Sequence, residues 1–216
     1  MQPETKTEAN QYALGYSGLQ KNSVYAAQLM IYPLLFLLRL AVVRQRKPAV
    51  ISSLKLSQNN SRTSYIIYAN HQSRLDPLII CASLRFKTLK QLLPFRFFVE
   101  NSYLNGPMKA FLTLMGGFPA HYEPNQSYGL DRARSLLASQ QTIVIFPPGK
   151  RTREPIAKSG VSVLAAESDV HLIPVHIDWK NRWSCKVTIG DPVKGGVTHP
   201  PQQLMDYVYQ LPVQPI

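Results

Sequence analysis

An imidazole and a carboxylate, His71 and Asp76, stand with four residues between them within Asn70-His71-Gln72-Ser73-Arg74-Leu75-Asp76-Pro77. Imidazole is the side chain whose unperturbed pKa lies near neutrality, so it can take a proton from a hydroxyl and later return it. A carboxylate on its other nitrogen fixes the tautomer and stabilises the imidazolium as it forms. No serine nucleophile is needed if the substrate itself brings the hydroxyl. A second group of chemical interest is the turn Pro147-Pro148-Gly149 with Lys150, Arg151 and Arg153 after it and Lys158 and Gly160 further on. Guanidinium forks and ammonium point charges at the end of a strand suit a phosphate. A solvated basic loop is the plainer alternative. His121, His171, His176 and His199 form no metal-ligand spacing with one another, and His71 with Asp76 alone supplies too few ligands, so no metal is expected.

These residues need elements to hold them. Ser64-Tyr65-Ile66-Ile67-Tyr68-Ala69 reads as a buried strand delivering the chain to His71. Asp76-Pro77 reads as a helix start, Asp as N-cap and Pro at the first helical position, leading into Leu78–Leu84. Thr142–Phe146 is a second buried strand, and it ends at the basic turn. Val50–Leu56 and the turn cluster Gln58-Asn59-Asn60-Ser61 suggest a hairpin into the first strand. A broken strand is expected over Gln91–Val99, helices over Tyr103–Met115, Tyr128–Ala138 and Gln202–Gln210, and closing strands over His171–Asp178 and Cys185–Ile189. Strands alternating with helices describe an α/β domain with a mixed central sheet flanked by helices. Such sheets bind ligands beyond the carboxyl ends of their strands.

Asn-His-x-Ser-x-x-Asp after an apolar strand resembles the first motif of the PlsC-like lysophospholipid and glycerolipid acyltransferases. Three further stretches follow in the family's order. Gly116-Gly117-Phe118-Pro119 is similar to its second motif, Phe146-Pro147-Pro148-Gly149-Lys150-Arg151-Thr152-Arg153 to its Phe-Pro-Glu-Gly-Thr-Arg-Ser motif, and Leu172-Ile173-Pro174-Val175 to its fourth. The likeness covers roughly residues 60 to 190. It implies an enzyme that moves a fatty acyl group from a thioester, on coenzyme A or acyl carrier protein, to a lysophospholipid hydroxyl such as that of 1-acylglycerol-3-phosphate. The thioester is then a co-substrate and no cofactor is needed. His71 would be the general base and Asp76 its partner. Substrate contacts are expected at Asn70, Ser73 and Arg74 and at Gly149, Lys150, Arg151, Arg153 and Lys158, with Arg151 matching the motif arginine. Oxyanion donors are expected among backbone N–H groups near Gly149 or the Pro77 helix start. The chain departs from the family at Pro148, where a glutamate is usual, at Lys150, where a threonine is, and at His121 or Tyr122, where an arginine is. Those departures keep open an acceptor other than a glycerophosphate, such as an aminolipid, a sugar or an amine.

Composition bounds the rest. The chain has 216 residues, 45% hydrophobic and 17% charged, which suits one packed domain rather than a disordered chain. Lys+Arg 24 against Asp+Glu 12 gives a formal charge of +12, implying an anionic partner. An anionic membrane surface is favoured over nucleic acid, because no helix-turn-helix or RNA-binding aromatic signature accompanies the charge. A non-enzymatic basic membrane-peripheral protein would account for the charge but not for the ordered motifs. The 2 cysteines, Cys81 and Cys185, lie in apolar elements and read as buried thiols of a cytoplasmic protein. Residues 1–22 read as a flexible N-terminus. Residues 23–47 read as a membrane-associated helical anchor, and residues 48–216 as the acyltransferase domain. The apolar run Val24–Val43 falls just short of the ~20 residues of a clean span and is interrupted by Gln28, Pro33 and Arg39. An interfacial or re-entrant anchor on the cytoplasmic face of a membrane is the favoured reading, with a core helix and a single span as its rivals.

Overall fold

The computed structural model describes residues 19–45, 63–104, 107–120, 128–149, 156–167, 169–181 and 183–211. The hairpin expected from Val50, the cations Lys150, Arg151 and Arg153, His121 and Tyr122 lie outside the described residues.

Two helices come first, α1 (Leu19–Met30) and α2 (Tyr32–Val42), followed by β1 (Val43–Gln45). β2 (Ser64–Ala69) leads through the His71 loop into α3 (Asp76–Ser83) and α4 (Phe86–Leu92). Next are β3 (Phe95–Val99), α5 (Asn101–Leu104), α6 (Lys109–Leu114) and β4 (Gly117–Pro119). α7 (Tyr128–Ala138), β5 (Thr142–Ile145) and α8 (Gly160–Ala165) follow. The described chain closes with β6 (Val170–Asn181), β7 (Ser184–Ile189), β8 (Val193–Lys194) and α9 (Pro201–Gln210). The stretch read as a broken strand over Gln91–Val99 divides at Pro94, because the residue before a proline avoids helical backbone. α4 ends at Leu92, and β3 starts at Phe95 beyond a cis Leu93–Pro94 bond. The helix expected over Tyr103–Met115 is likewise two short helices.

The strands form one mixed sheet in the order β1-β7-β6-β2-β5-β3-β4, with β8 pairing β6. β7 and β8 run antiparallel to β6, and every other pairing is parallel. β2 lies between β6 and β5 and is almost wholly buried, which is why it reads as an apolar run rather than an alternation. Its side chains still alternate between faces. Ile67 and Ala69 pack with Leu35, Val42, Ile79, Ile80 and Leu89 from α2, α3 and α4. Ile66 and Tyr68 pack with Leu136, Leu164 and Met205 from α7, α8 and α9. Helices therefore cover both faces of the sheet.

α1 and α2 join this frame at specific points. Gln28, buried on α1, donates through Nε2 to the carbonyls of Phe95 and Met115 at 2.9 and 2.8 Å and accepts from Phe95 N–H at 2.9 Å. Gly116, at φ +94, admits that contact: a Cβ there would sit 2.9 Å from the Gln28 amide and 2.1 Å from Phe95 O. The other side of the segment is bare, with Met30 82%, Leu34 61%, Leu37 60% and Leu40 68% exposed. Among the described residues no single helix is long and apolar enough to cross a membrane. Lys21–Met30 with Tyr32–Val42, bent by 48°, passes that test by length and composition as a pair.

Candidate active site

The registers Tyr68↔Ile145 and Ala69↔Val175 bring the carboxyl ends of β2 and β5 out level with each other, beside the middle of β6, which runs on to Asn181. His71 and Phe146 emerge abreast, and their rings stack with centroids 4.3 Å apart. Asn70, the last residue before His71, is fully buried. Its amide donates to Ile177 O and accepts from Ile177 N–H, both at 2.7 Å, so a side chain extends the β2–β6 pairing beyond the strand. Asn70 was expected to touch substrate; the structure gives it a backbone partner instead, with both ends of the amide occupied.

Asp76 does not cap its helix as the sequence suggested. Leu75 occupies the cap position with no side-chain cap bond, and Asp76 is the first helical residue with Pro77 second. Freed from the helix, the carboxylate turns back into the loop. Oδ2 accepts from His71 Nδ1 at 2.8 Å, from Gln72 N–H at 2.7 Å and from Ser73 N–H at 2.8 Å. Oδ1 accepts from Trp179 Nε1 on β6 at 2.8 Å. Asp76 is 0% exposed while the His71 side chain remains 19% exposed, so the dyad is dry at the carboxylate and open at the imidazole. An ionised carboxylate only accepts, which puts the hydrogen on Nδ1 and leaves the Nε2 lone pair as the basic atom.

The remaining expected contacts divide. Ser73 Oγ accepts from Leu75 N–H at 3.2 Å, within the loop itself. Arg74 is exposed and lies 5.7 Å from the Tyr103 ring centre. Gly149 stands at φ +68, where a side chain is strained. Its N–H is bonded to Phe146 O at 2.8 Å, closing the turn. Lys158 folds across that turn: its N–H meets Pro147 O at 2.9 Å, and its Nζ would lie 3.0 Å from a Cβ on Gly149. Pro148, where the resembling family has glutamate, is buried.

Cys81 on α3 and Cys185 on β7 are both free thiols, and so candidates for a nucleophile. Burial pushes Cys81 up to about 12. Cys185, opposite Trp179 in the sheet, is pushed up to about 12 by burial first and then by the charges of Asp76 and Asp178. A thiol so placed stays protonated at neutral pH and does not attack a thioester.

Sequence reasoning missed Trp179 altogether. Nothing local marks it: it lies 103 residues from its partner Asp76 on a strand whose apolar pattern predicts only packing.

The Acyltransferase family model matches residues 51–178, more than half of the chain. The fold is similar to the crystal structure of the 1-acyl-sn-glycerophosphate (LPA) acyltransferase, PlsC, from Thermotoga maritima. That likeness has a TM-score of 0.54 at 17% identity and covers 97% of this chain and 80% of that one. Among curated proteins no match was found.

Proposed function

This chain belongs to the Acyltransferase family, and from that premise we propose that it is a membrane-surface O-acyltransferase whose acceptor is a lysoglycerophospholipid such as 1-acylglycerol-3-phosphate. The donor is a fatty acyl thioester of coenzyme A or acyl carrier protein. The observation that carries the reading is the 2.8 Å bond between His71 Nδ1 and a buried Asp76, with Nε2 left as base just beyond the carboxyl end of β2, which is level with that of β5. The similar Thermotoga maritima PlsC is a 1-acyl-sn-glycerophosphate acyltransferase, which favours a glycerophosphate acceptor.

His71 Nε2 takes the acceptor hydroxyl proton as the oxygen attacks the thioester carbonyl. Asp76 holds the imidazole and offsets the positive charge it gains. As the tetrahedral intermediate collapses, the C–S bond breaks and the leaving sulfur takes the proton back from His71. The products are an ester and a free thiol, and His71 is neutral again. Lys158 beside Gly149, with Lys150, Arg151 and Arg153 following in the chain, supplies cations for the acceptor phosphate. The exposed Leu34, Leu37 and Leu40 of α2, with Arg39 among them, suit the headgroup boundary of an anionic membrane on the cytoplasmic side.

Buried Pro148 favours one second reading. Without a carboxylate at that position the acceptor's polar head loses a partner, and an acceptor lacking the glycerophosphate becomes competitive. The test is thiol release from acyl-coenzyme A and acyl carrier protein across lysophosphatidic acid, its dephosphorylated analogue, lyso-aminolipids and amines. The main reading requires the highest kcat/KM on the phosphorylated acceptor. A preference for the dephosphorylated one would replace it with the second reading, and no release on any acceptor would remove both.

A further inference from the structure

The odd-numbered residues of β6, from Ile173 through Val175 and Ile177, point into the layer formed by α2, α3 and α4. Trp179 ends that row, packed against the same core, and it reaches the carboxylate at the start of α3. Its position is fixed twice. Its backbone N–H donates to Gln72 Oε1 at 3.3 Å, which ties β6 to the His71 loop, and its indole Nε1 donates to Asp76 Oδ1 at 2.8 Å. Immediately beyond it the register with β7 shifts between Trp179 and Asn181. Such irregularities re-aim side chains at the ends of strands.

We infer that Trp179 is a positioning residue of the dyad: its indole N–H locks the second oxygen of Asp76 so that the first stays aimed at His71 Nδ1. The inference rests on the reading of His71 as general base. The chemistry is one-directional, since an indole N–H can only donate and a carboxylate can only accept, so no alternative arrangement of hydrogens competes. Three donors already crowd Oδ2. Oδ1 has Trp179, which arrives from a different element and so opposes rotation of the carboxylate about its own bond. A rigid bicyclic ring on the strand next to β2 makes that donor hard to displace. Trp179 acts through Asp76 and is not assigned a contact with substrate.

Trp179→Phe keeps the ring packing and removes the donor. It should lower kcat by roughly tenfold, the scale of a lost charge-assisted hydrogen bond, with the KM of acceptor and thioester unchanged. In an Asp76→Asn background, where the charge is gone, the same change should cost less than about twofold, since coupled residues are not additive. Unchanged kcat, or an equal loss in both backgrounds, would overturn the proposal. A second arm needs no turnover. The protein has two tryptophans, and Trp183 is 71% exposed, so its assignment through Trp183→Phe is straightforward. In the wild-type protein the Trp179 indole proton should resonate downfield of a free indole in water and exchange more slowly with deuterated water than it. A shift and exchange rate equal to those of free indole would refute the bond. If no acceptor supports turnover, the functional reading fails, while the resonance arm still decides the bond.

Discussion

Asp76 collects four hydrogen-bond donors while exposing none of its surface, and an unpaired carboxylate at such depth would be strongly disfavoured. Replacing it by Asn turns one acceptor atom into a donor facing other donors. Asp76→Asn should therefore lower kcat by roughly 10²–10⁴, read as the initial rate of thiol release. Asn70 invites the opposite expectation. Asn70→Ala strands Ile177 N–H and O inside the sheet and should lower stability by about 2–4 kcal/mol for two buried bonds. The urea midpoint measures that loss, and the acceptor KM of the surviving folded fraction should not move. A selective rise in KM would make Asn70 a substrate contact after all. These two residues also mark what a sequence can reveal. His71 and Asp76 are legible because their pairing is local, with four residues between them. The partners of Asn70 and Asp76 on β6 are 107 and 103 residues distant, and no spacing within the motif points to them.

The segment α1–α2 is both a core element and a bare apolar surface. Leu35 and Val42 belong to the core, and Gln28 satisfies both polar groups of Phe95, yet Met30, Leu34, Leu37 and Leu40 face outward. The apolar run was readable from its composition. Which side would be buried was not, because that depends on where Phe95 and Met115 present free backbone groups. The two sides can be separated by experiment. Replacing Leu34, Leu37 and Leu40 together by Gln should cut binding to anionic vesicles by about 2 kcal/mol or more, given ~25 cal/mol per Å² of apolar area, without lowering the melting temperature. Gln28→Leu should do the reverse, destabilising the fold by about 2–3 kcal/mol with vesicle binding of the folded protein intact. Co-sedimentation and thermal melts on each variant check both statements. Of the elements after Ser64, α7 and β2 match their sequence patterns residue for residue, while the short α4, β4, α8 and β8 carry no pattern that announced them. The divided elements are those where Pro94 or the Gly106-Pro107 pair interrupts an otherwise continuous pattern.

Across the whole molecule, a formal charge of +12 makes attraction to anionic surfaces salt-dependent. Two half-buried imidazoles set a second global response. Burial holds His171 and His176 below the ordinary histidine value, helped by Lys194 and Lys186 respectively and opposed by Asp169 and Asp178. Below the unfolded value the unfolded chain binds protons that the folded chain does not. Stability should therefore be full above about pH 7 and fall as pH drops through about 6.5. Urea midpoints across that range should show the fall, and His176→Phe should flatten it. The central claim is that His71 takes a proton from an acceptor hydroxyl during acyl transfer, and one measurement meets it directly. Purified wild-type protein and His71→Ala are each given acyl-coenzyme A and lysophosphatidic acid on anionic vesicles, and the rate of thiol release with ester formation is followed. The account predicts turnover by the wild type and a loss of roughly 10²–10⁴ in the variant, with an unchanged melting temperature. A folded His71→Ala protein that forms the ester at the wild-type rate would contradict it.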